Sequence, residues 1–214
     1  MHVPRRGPIV ALLASLVAAG AVGAQPTMFT ANLTPDQEVG LVALTNGITG
    51  LPRPVPSGFA TFTLNASQTE LMFVAIIHDI DVTGTQTADP NDDLLAAHIH
   101  APGAPGAGAG VVWGFFGAPD NDVAPSDLVV TPFAEGVGGT FTSVWNLAEG
   151  NNTTLAAQLP NVLGGLAYLN YHTRQNPGGE IRGQIAVVPE PATVLLLGTG
   201  LVGVAVVARR RRAR

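Results

Sequence analysis

Apolar and polar positions alternate over short stretches separated by turn formers, the pattern of an all-β chain. Met28-Phe29-Thr30-Ala31-Asn32-Leu33 alternates and stops at Thr34-Pro35-Asp36. Over 58–64, Phe59 shares a face with Thr61 and Thr63 while Phe62 points the other way. Alternation is imperfect there, so the strand rests on β-propensity and flanking turns. Asn65-Ala66-Ser67-Gln68 turns the chain into 70–77, a continuous apolar run that predicts a buried strand and, with 58–64, a hairpin. A polar loop over 83–93 leads into Leu94-Leu95-Ala96-Ala97-His98-Ile99-His100, then a Gly/Ala/Pro connection, 101–110, and a strand over 111–116. After an acidic loop, 118–126, a strand over 140–147 carries Trp145, and 153–162 fits a short helix as well as a strand. From 165 to 173, Leu166, Tyr168, Asn170 and His172 share one face, and Ala167, Leu169 and Tyr171 the other. Asn176-Pro177-Gly178-Gly179 forms a turn before a closing strand over 180–187. Many short strands with Gly/Pro turns and no internal repeat predict an antiparallel β-sandwich or barrel.

The two ends fall outside this pattern. Arg5-Arg6, an apolar core over 9–22 and small residues before Ala24 read as a secretory signal over 1–24, cleaved between Ala24 and Gln25. At the other end, Pro189-Glu190-Pro191 precedes an uncharged apolar run, 192–208, of about 17 residues, the short limit for a membrane helix. An arginine-rich tail, 209–214, follows and by the positive-inside rule stays cytoplasmic. Triplet, helix and arginine cluster together resemble the PEP-CTERM sorting signal of Gram-negative bacteria. That resemblance implies transient anchoring in the inner membrane, recognition by an exosortase, removal of the tail near 189–191, and delivery to the cell surface or extracellular matrix.

Between the ends, 25–188 is one domain's length. Three arginines there face fourteen acids, a formal charge of −11, which excludes nucleic acid as a partner. Without cysteine there are neither disulfides nor thiolate metal sites. No Gly-x-Ser-x-Gly, P-loop or Rossmann pattern occurs, and the glycine run lacks the lysine a phosphate loop needs.

The sharpest chemical feature is His98-Ile99-His100. On a strand both imidazoles project from one face, and with His172 they form a candidate copper or zinc site of three nitrogens with one open position. The competing reading is a buried polar network with Asn170, Thr173 or Glu180. Glu180 and Arg182, with Asn170, are candidates for a shell supporting the histidines; the preferred reading of Glu180 and Arg182 is a salt bridge with each other that holds the closing strand in register. His78 ends a strand and is read as a surface residue. Asp89, Asp92, Asp93, Asp120 and Asp122 lie on loops; their spacing matches no EF-hand, which favours solvated turns over calcium ligands.

Ala97-His98-Ile99-His100, the glycine-rich loop, Tyr168-Leu169-Asn170-Tyr171-His172-Thr173 and Asn176-Pro177-Gly178-Gly179-Glu180-Ile181-Arg182-Gly183-Gln184 resemble the CHRD domain. Phe29-Thr30-Ala31-Asn32-Leu33 and Gln37-Glu38-Val39 extend the resemblance over nearly all of 25–188. The family is named from the animal developmental protein chordin and is widespread in bacterial secreted proteins. It implies a non-enzymatic extracellular role, binding a surface protein or exopolysaccharide. The His-x-His strand, the later histidine and the closing Asn-x-Gly-Gly turn also look like Cu/Zn superoxide dismutases. That likeness implies a Greek-key sandwich with His98, His100 and His172 as copper ligands. The chain departs from that pattern: the 101–110 loop has no histidine to bridge two metals, there is no disulfide, and Glu180 stands near the place of the substrate-guiding arginine. Little dismutase activity is expected.

Overall fold

The computed structural model describes residues 25–123, 125–189 and 193–212. The secretory signal over 1–24 and Glu190-Pro191 of the sorting triplet lie outside the described residues. The strands in chain order are β1 (Thr27–Leu33), β2 (Ser57–Leu64), β3 (Glu70–His78), β4 (Leu94–His100), β5 (Val111–Phe116), β6 (Val129–Pro132), β7 (Gly138–Asn146), β8 (Tyr168–Thr173), β9 (Ile181–Gln184) and β10 (Ala186–Val187). They form a six-stranded sheet, β10-β1-β2-β3-β7-β6, and a four-stranded sheet, β5-β4-β8-β9. Every strand pairing is antiparallel. The chain passes between sheets after β3, β5, β7 and β9, which makes β3 a neighbour of β7 and β4 of β8. The antiparallel Greek-key sandwich read from the sequence is the observed architecture.

Aromatic contacts fill the space between the sheets. Trp145 of β7 stacks on Trp113 of β5 with centroids 5.5 Å apart, and Phe73 of β3 meets Phe115 at 4.7 Å. Tyr171 of β8 packs edge-on against Phe141 of β7 at 5.2 Å. Each is a residue whose pleat points inward, so the period-2 pattern alone delivers it to the core.

Four details differ from the sequence reading. The apolar run of β3 is buried on one face only: Leu71, Phe73, Ala75 and Ile77 are buried, but Met72, Val74 and Ile76 are 46, 37 and 42% exposed. The six-stranded sheet has one partner layer, so its other face meets solvent whatever its residues. The closing segment is two strands, because Ile185 carries the chain across from β9 in one sheet to β10 in the other. The edge strand β6 was not foreseen; it is four residues long and ends in Pro132, tolerable where no ladder donor is required. The ambiguous segment is a helix, α1 (Leu155–Leu163), whose N-cap Thr154 accepts a bond from the Ala157 amide at 3.2 Å.

A terminal helix, α2 (Thr193–Arg212), runs past the expected end at 208 and takes arginines into its last turn, where the helix dipole favours cations. Among the described residues no helix is long and apolar enough to cross a membrane.

Candidate metal centre

β4 lies between β5 and β8, and its pairing with β8 sets His98 opposite Asn170, His100 opposite Tyr168 and Ala96 opposite His172. Directly opposed residues share a face, so the three histidines occupy one surface of the smaller sheet. Ile99 points the other way, into the core. Ala96 is small enough to leave room beside His172. Opposite His98 stands Gly114, where a Cβ would sit 1.8 Å from the Pro119 carbonyl oxygen. Only glycine lets the 118–119 segment approach His98 this closely.

The sheet brings the three histidines together. His98 Nδ1 and His172 Nε2 are 3.2 Å apart, and ring centroids are 4.9 to 5.8 Å apart across the trio. One nitrogen from each lies within 4.8 Å of the others. A carbonyl oxygen only accepts, so the bonds of His100 Nδ1 to Ala109 O (2.9 Å) and of His172 Nδ1 to Pro177 O (3.1 Å) put protons on both Nδ1 atoms. Their Nε2 atoms therefore carry lone pairs. That of His172 accepts from His98 Nδ1–H, which leaves His98 Nε2 bare as well. The Nε2 atoms of His98 and His100 are buried without a hydrogen-bond partner.

Burial and neighbouring imidazoles disfavour protonation. His98 is lowered to about 4, by burial first and then by His100, with the Ala118 backbone opposing in part. His172 falls to about 3, through burial and then the charges of His98 and His100. His100 is lowered too, again mainly by burial. All three are neutral at pH 7, the form that binds metals. His98, His172, Ala118, Pro119 and Pro177 line a 380 Å³ cleft, so two of the three histidines border it.

Glu180 and Arg182 do not pair with each other. Arg182 donates to the Ala107 and Ala104 carbonyls (2.8 and 2.9 Å) and lies 3.5 Å above the Tyr168 ring. The Tyr168 hydroxyl in turn accepts from Ala109 N at 3.0 Å, and its ring stacks on His100 at 4.9 Å. Arg182 thus fixes the glycine-rich loop whose Ala109 carbonyl orients His100. Glu180 does the corresponding work for His172. It accepts from Thr173 Oγ1, from Asn176 Nδ2 (2.9 Å) and from Arg53 Nη2 (2.5 Å), which holds the turn bearing Pro177. Asn170 reaches Glu38 with its side chain.

Arg53 was missed by the sequence reading, and the one signal for it is its rarity among so many acids. His78 is exposed, at the end of β3 against Phe133. The loop acids are not all solvated: Asp89, Asp92 and Asp122 are buried, their oxygens accepting loop donors such as Gly47 N and Ser143 Oγ. Asp93 pairs with Arg174 at 3.1 Å, and Asp120 accepts from Asp122 N.

Glu38 belongs to the Gln37-Glu38-Val39 stretch. Burial raises its carboxyl to about 7, against the opposing charge of Arg182, and its Oε1 has no partner. Between its ordinary 4.5 and 7 the folded state binds more protons than the unfolded one, so this group's contribution falls as pH rises. The thermal midpoint of Glu38→Gln relative to the parent protein is expected to climb between pH 5 and 8; a flat difference would contradict the raised carboxyl.

The sequence pattern of the CHRD domain matches residues 29–185, and that of the PEP-CTERM protein-sorting motif matches 187–212. No match is found among curated proteins or solved structures. The sorting motif implies a transient membrane helix in the tail. With well over half of its length covered, the chain belongs to the CHRD domain family and is an exported protein sorted by an exosortase.

Proposed function

We propose that this protein presents a three-histidine metal centre outside the cell, with copper as the preferred ion and zinc as its competitor. The observation that carries the reading is the convergence of one nitrogen from each histidine within 4.8 Å, with the Nδ1–H groups of His100 and His172 tied to backbone carbonyls so that their Nε2 atoms carry lone pairs. Backbone carbonyls that fix the non-ligating nitrogen are the usual support of metal-binding histidines. An ion with bonds of about 2.05 Å to His98 Nδ1 and His172 Nε2 would subtend about 100° at their 3.2 Å spacing, near the tetrahedral value. The proton of His98 then belongs on Nε2, towards Ala118. Asn170, Glu180 and Arg182 support the site from outside it. Copper ranks above zinc at nitrogen sites by the Irving–Williams order. No reaction is assigned; with no histidine in the 101–110 loop to bridge two metals, superoxide turnover is expected to be negligible.

A second reading, compatible with the first, is attachment to a surface protein or exopolysaccharide. It is favoured by the outer face of the larger sheet, where Met28, Phe59, Met72, Val74 and Ile76 are exposed in adjoining registers. Export begins with cleavage at Ala24/Gln25 and ends with loss of the tail near Pro189-Glu190-Pro191. One preparation tests the processing and the metal centre: protein recovered from the extracellular fraction of the native host, without an affinity tag. Its mass should lack 1–24 and the arginines of 209–214, and it should hold copper or zinc at one ion per chain. Intact C-terminal arginines would refute the processing, and metal content no higher than in a His98/His100/His172 triple-alanine variant would refute the centre.

A further inference from the structure

We propose that the cleft between the 46–54 segment and the connection from β3 to β4 binds one sugar unit of a neutral glycan. Asn46, Arg53, Asp89 and Asp92 are among the residues lining it, and its volume of 330 Å³ lies at the small end of ligand pockets. Two of these residues carry polar atoms that the fold leaves without partners. Arg53 is 7% exposed; its Nε donates to Gln175 Oε1 at 3.1 Å and its Nη2 to Glu180 Oε2 at 2.5 Å, while its Nη1 is buried and meets no acceptor. Asp89 is 5% exposed; its Oδ1 accepts from Gly47 N and Asn91 N, while its Oδ2 is buried and meets no donor.

A buried donor and a buried acceptor left open are each costly until something meets them. They are of opposite sense on one cleft, and together they say what fits. The ligand must accept from Arg53 and donate to Asp89. A metal ion does neither and is repelled by the guanidinium. An anion is repelled by Asp79, Asp89 and Asp92, which line the same cleft, and Arg53 already has Glu180 as its counter-ion. What remains is an uncharged group that both donates and accepts. A hydroxyl does this through a single oxygen, and a sugar ring carries several of them side by side.

The other walls suit the same ligand. Asn46 turns its Oδ1 to the amides of Ile48 and Thr49, so its Nδ2 hydrogens are what it can offer a sugar oxygen. Thr49 Oγ1 accepts from Leu51 N, which leaves its hydroxyl hydrogen to donate. Ile48, Pro54 and Val137 give apolar surface for the C–H face of a ring. A peptide is less well served: no residue lining the cleft lies in a strand, so there is no ladder for its backbone to extend. The inference rests on the attachment reading above. It narrows the partner to an uncharged polysaccharide and places the sugar contact in this cleft rather than on the outer sheet face.

The test titrates the exported protein calorimetrically with neutral oligosaccharides released from the host's own extracellular polysaccharide by partial hydrolysis, and with cellotriose and maltotriose beside them. Co-sedimentation with the intact polysaccharide is followed in parallel. At least one neutral probe should bind at one per chain, and trigalacturonate, the acidic comparator, should bind about tenfold or more weakly. Asp89→Asn keeps an oxygen for Gly47 N and Asn91 N but sets an amide group in place of Oδ2, and should weaken binding about tenfold or more. Ile48→Ala, at a residue 65% exposed, guards against a folding failure and should weaken binding severalfold. No binding of any neutral probe, equal binding of trigalacturonate, or unchanged affinity in both variants would overturn the site. If the titrations fail while the intact polysaccharide still carries the protein down, the attachment reading stands without this cleft; loss of co-sedimentation as well would take that reading with it. The His98/His100/His172 triple-alanine variant should bind the sugar as the parent does, so the metal centre and the cleft can fail separately.

Discussion

Glu180→Ala is expected to destabilise the domain by about 3–5 kcal/mol, the range for removing one partner of a buried ion pair. At this chain length that lowers the unfolding midpoint by about 10 °C or more. Glu180 is fully buried, and its Oε2 collects Arg53, Asn176 and Thr173. Without it the Arg53 guanidinium, also buried, keeps its charge and loses its counter-ion. A surface pair would be worth about 1 kcal/mol or less, so a loss of that size in urea or thermal unfolding would reject this account. The same substitution loosens the turn carrying Pro177, whose carbonyl orients His172. Weakened copper binding should therefore accompany the lost stability.

Strand alternation made the histidine face legible before any coordinates. Residues 98 and 100 must share a face on any strand, and 165–173 alternates cleanly enough to place Tyr168, Asn170 and His172 together. That β4 and β8 are neighbours was not legible, because it depends on a crossover between sheets. The outer face of β3 was misjudged because Met72, Val74 and Ile76 look the same in sequence whether or not a second layer covers them.

Charge partners were the least legible part. Glu180 and Arg182 are two residues apart and invite a local pair, yet Glu180 reaches Arg53, 127 positions away, and Arg182 reaches the glycine-rich loop. Once each has a partner better suited by geometry, the nearby one is not used. The loop aspartates misled for a related reason. Composition suggests solvation, but loops that lack ladder partners bury carboxylates as acceptors for their own amides.

His100→Phe separates a metal centre from a polar network holding the fold. Phenylalanine can keep the stacking on Tyr168, where the rings lie 4.9 Å apart and 4° from parallel. It gives up the bond to Ala109 O, worth about 1 kcal/mol, and also removes a buried nitrogen without a partner, a relief of about 1–3 kcal/mol. The metal-free variant should therefore match the metal-free parent within about 1 kcal/mol. Copper should separate them sharply. At about a thousandfold excess over its dissociation constant, an ion that binds only the folded state stabilises by about 4 kcal/mol. That raises the parent's midpoint by about 10 °C, and the variant, left with His98 and His172, should show little of the rise. If the trio instead served the fold alone, the order would invert. The metal-free variant would lose several kcal/mol, and copper would leave the parent's midpoint where it was.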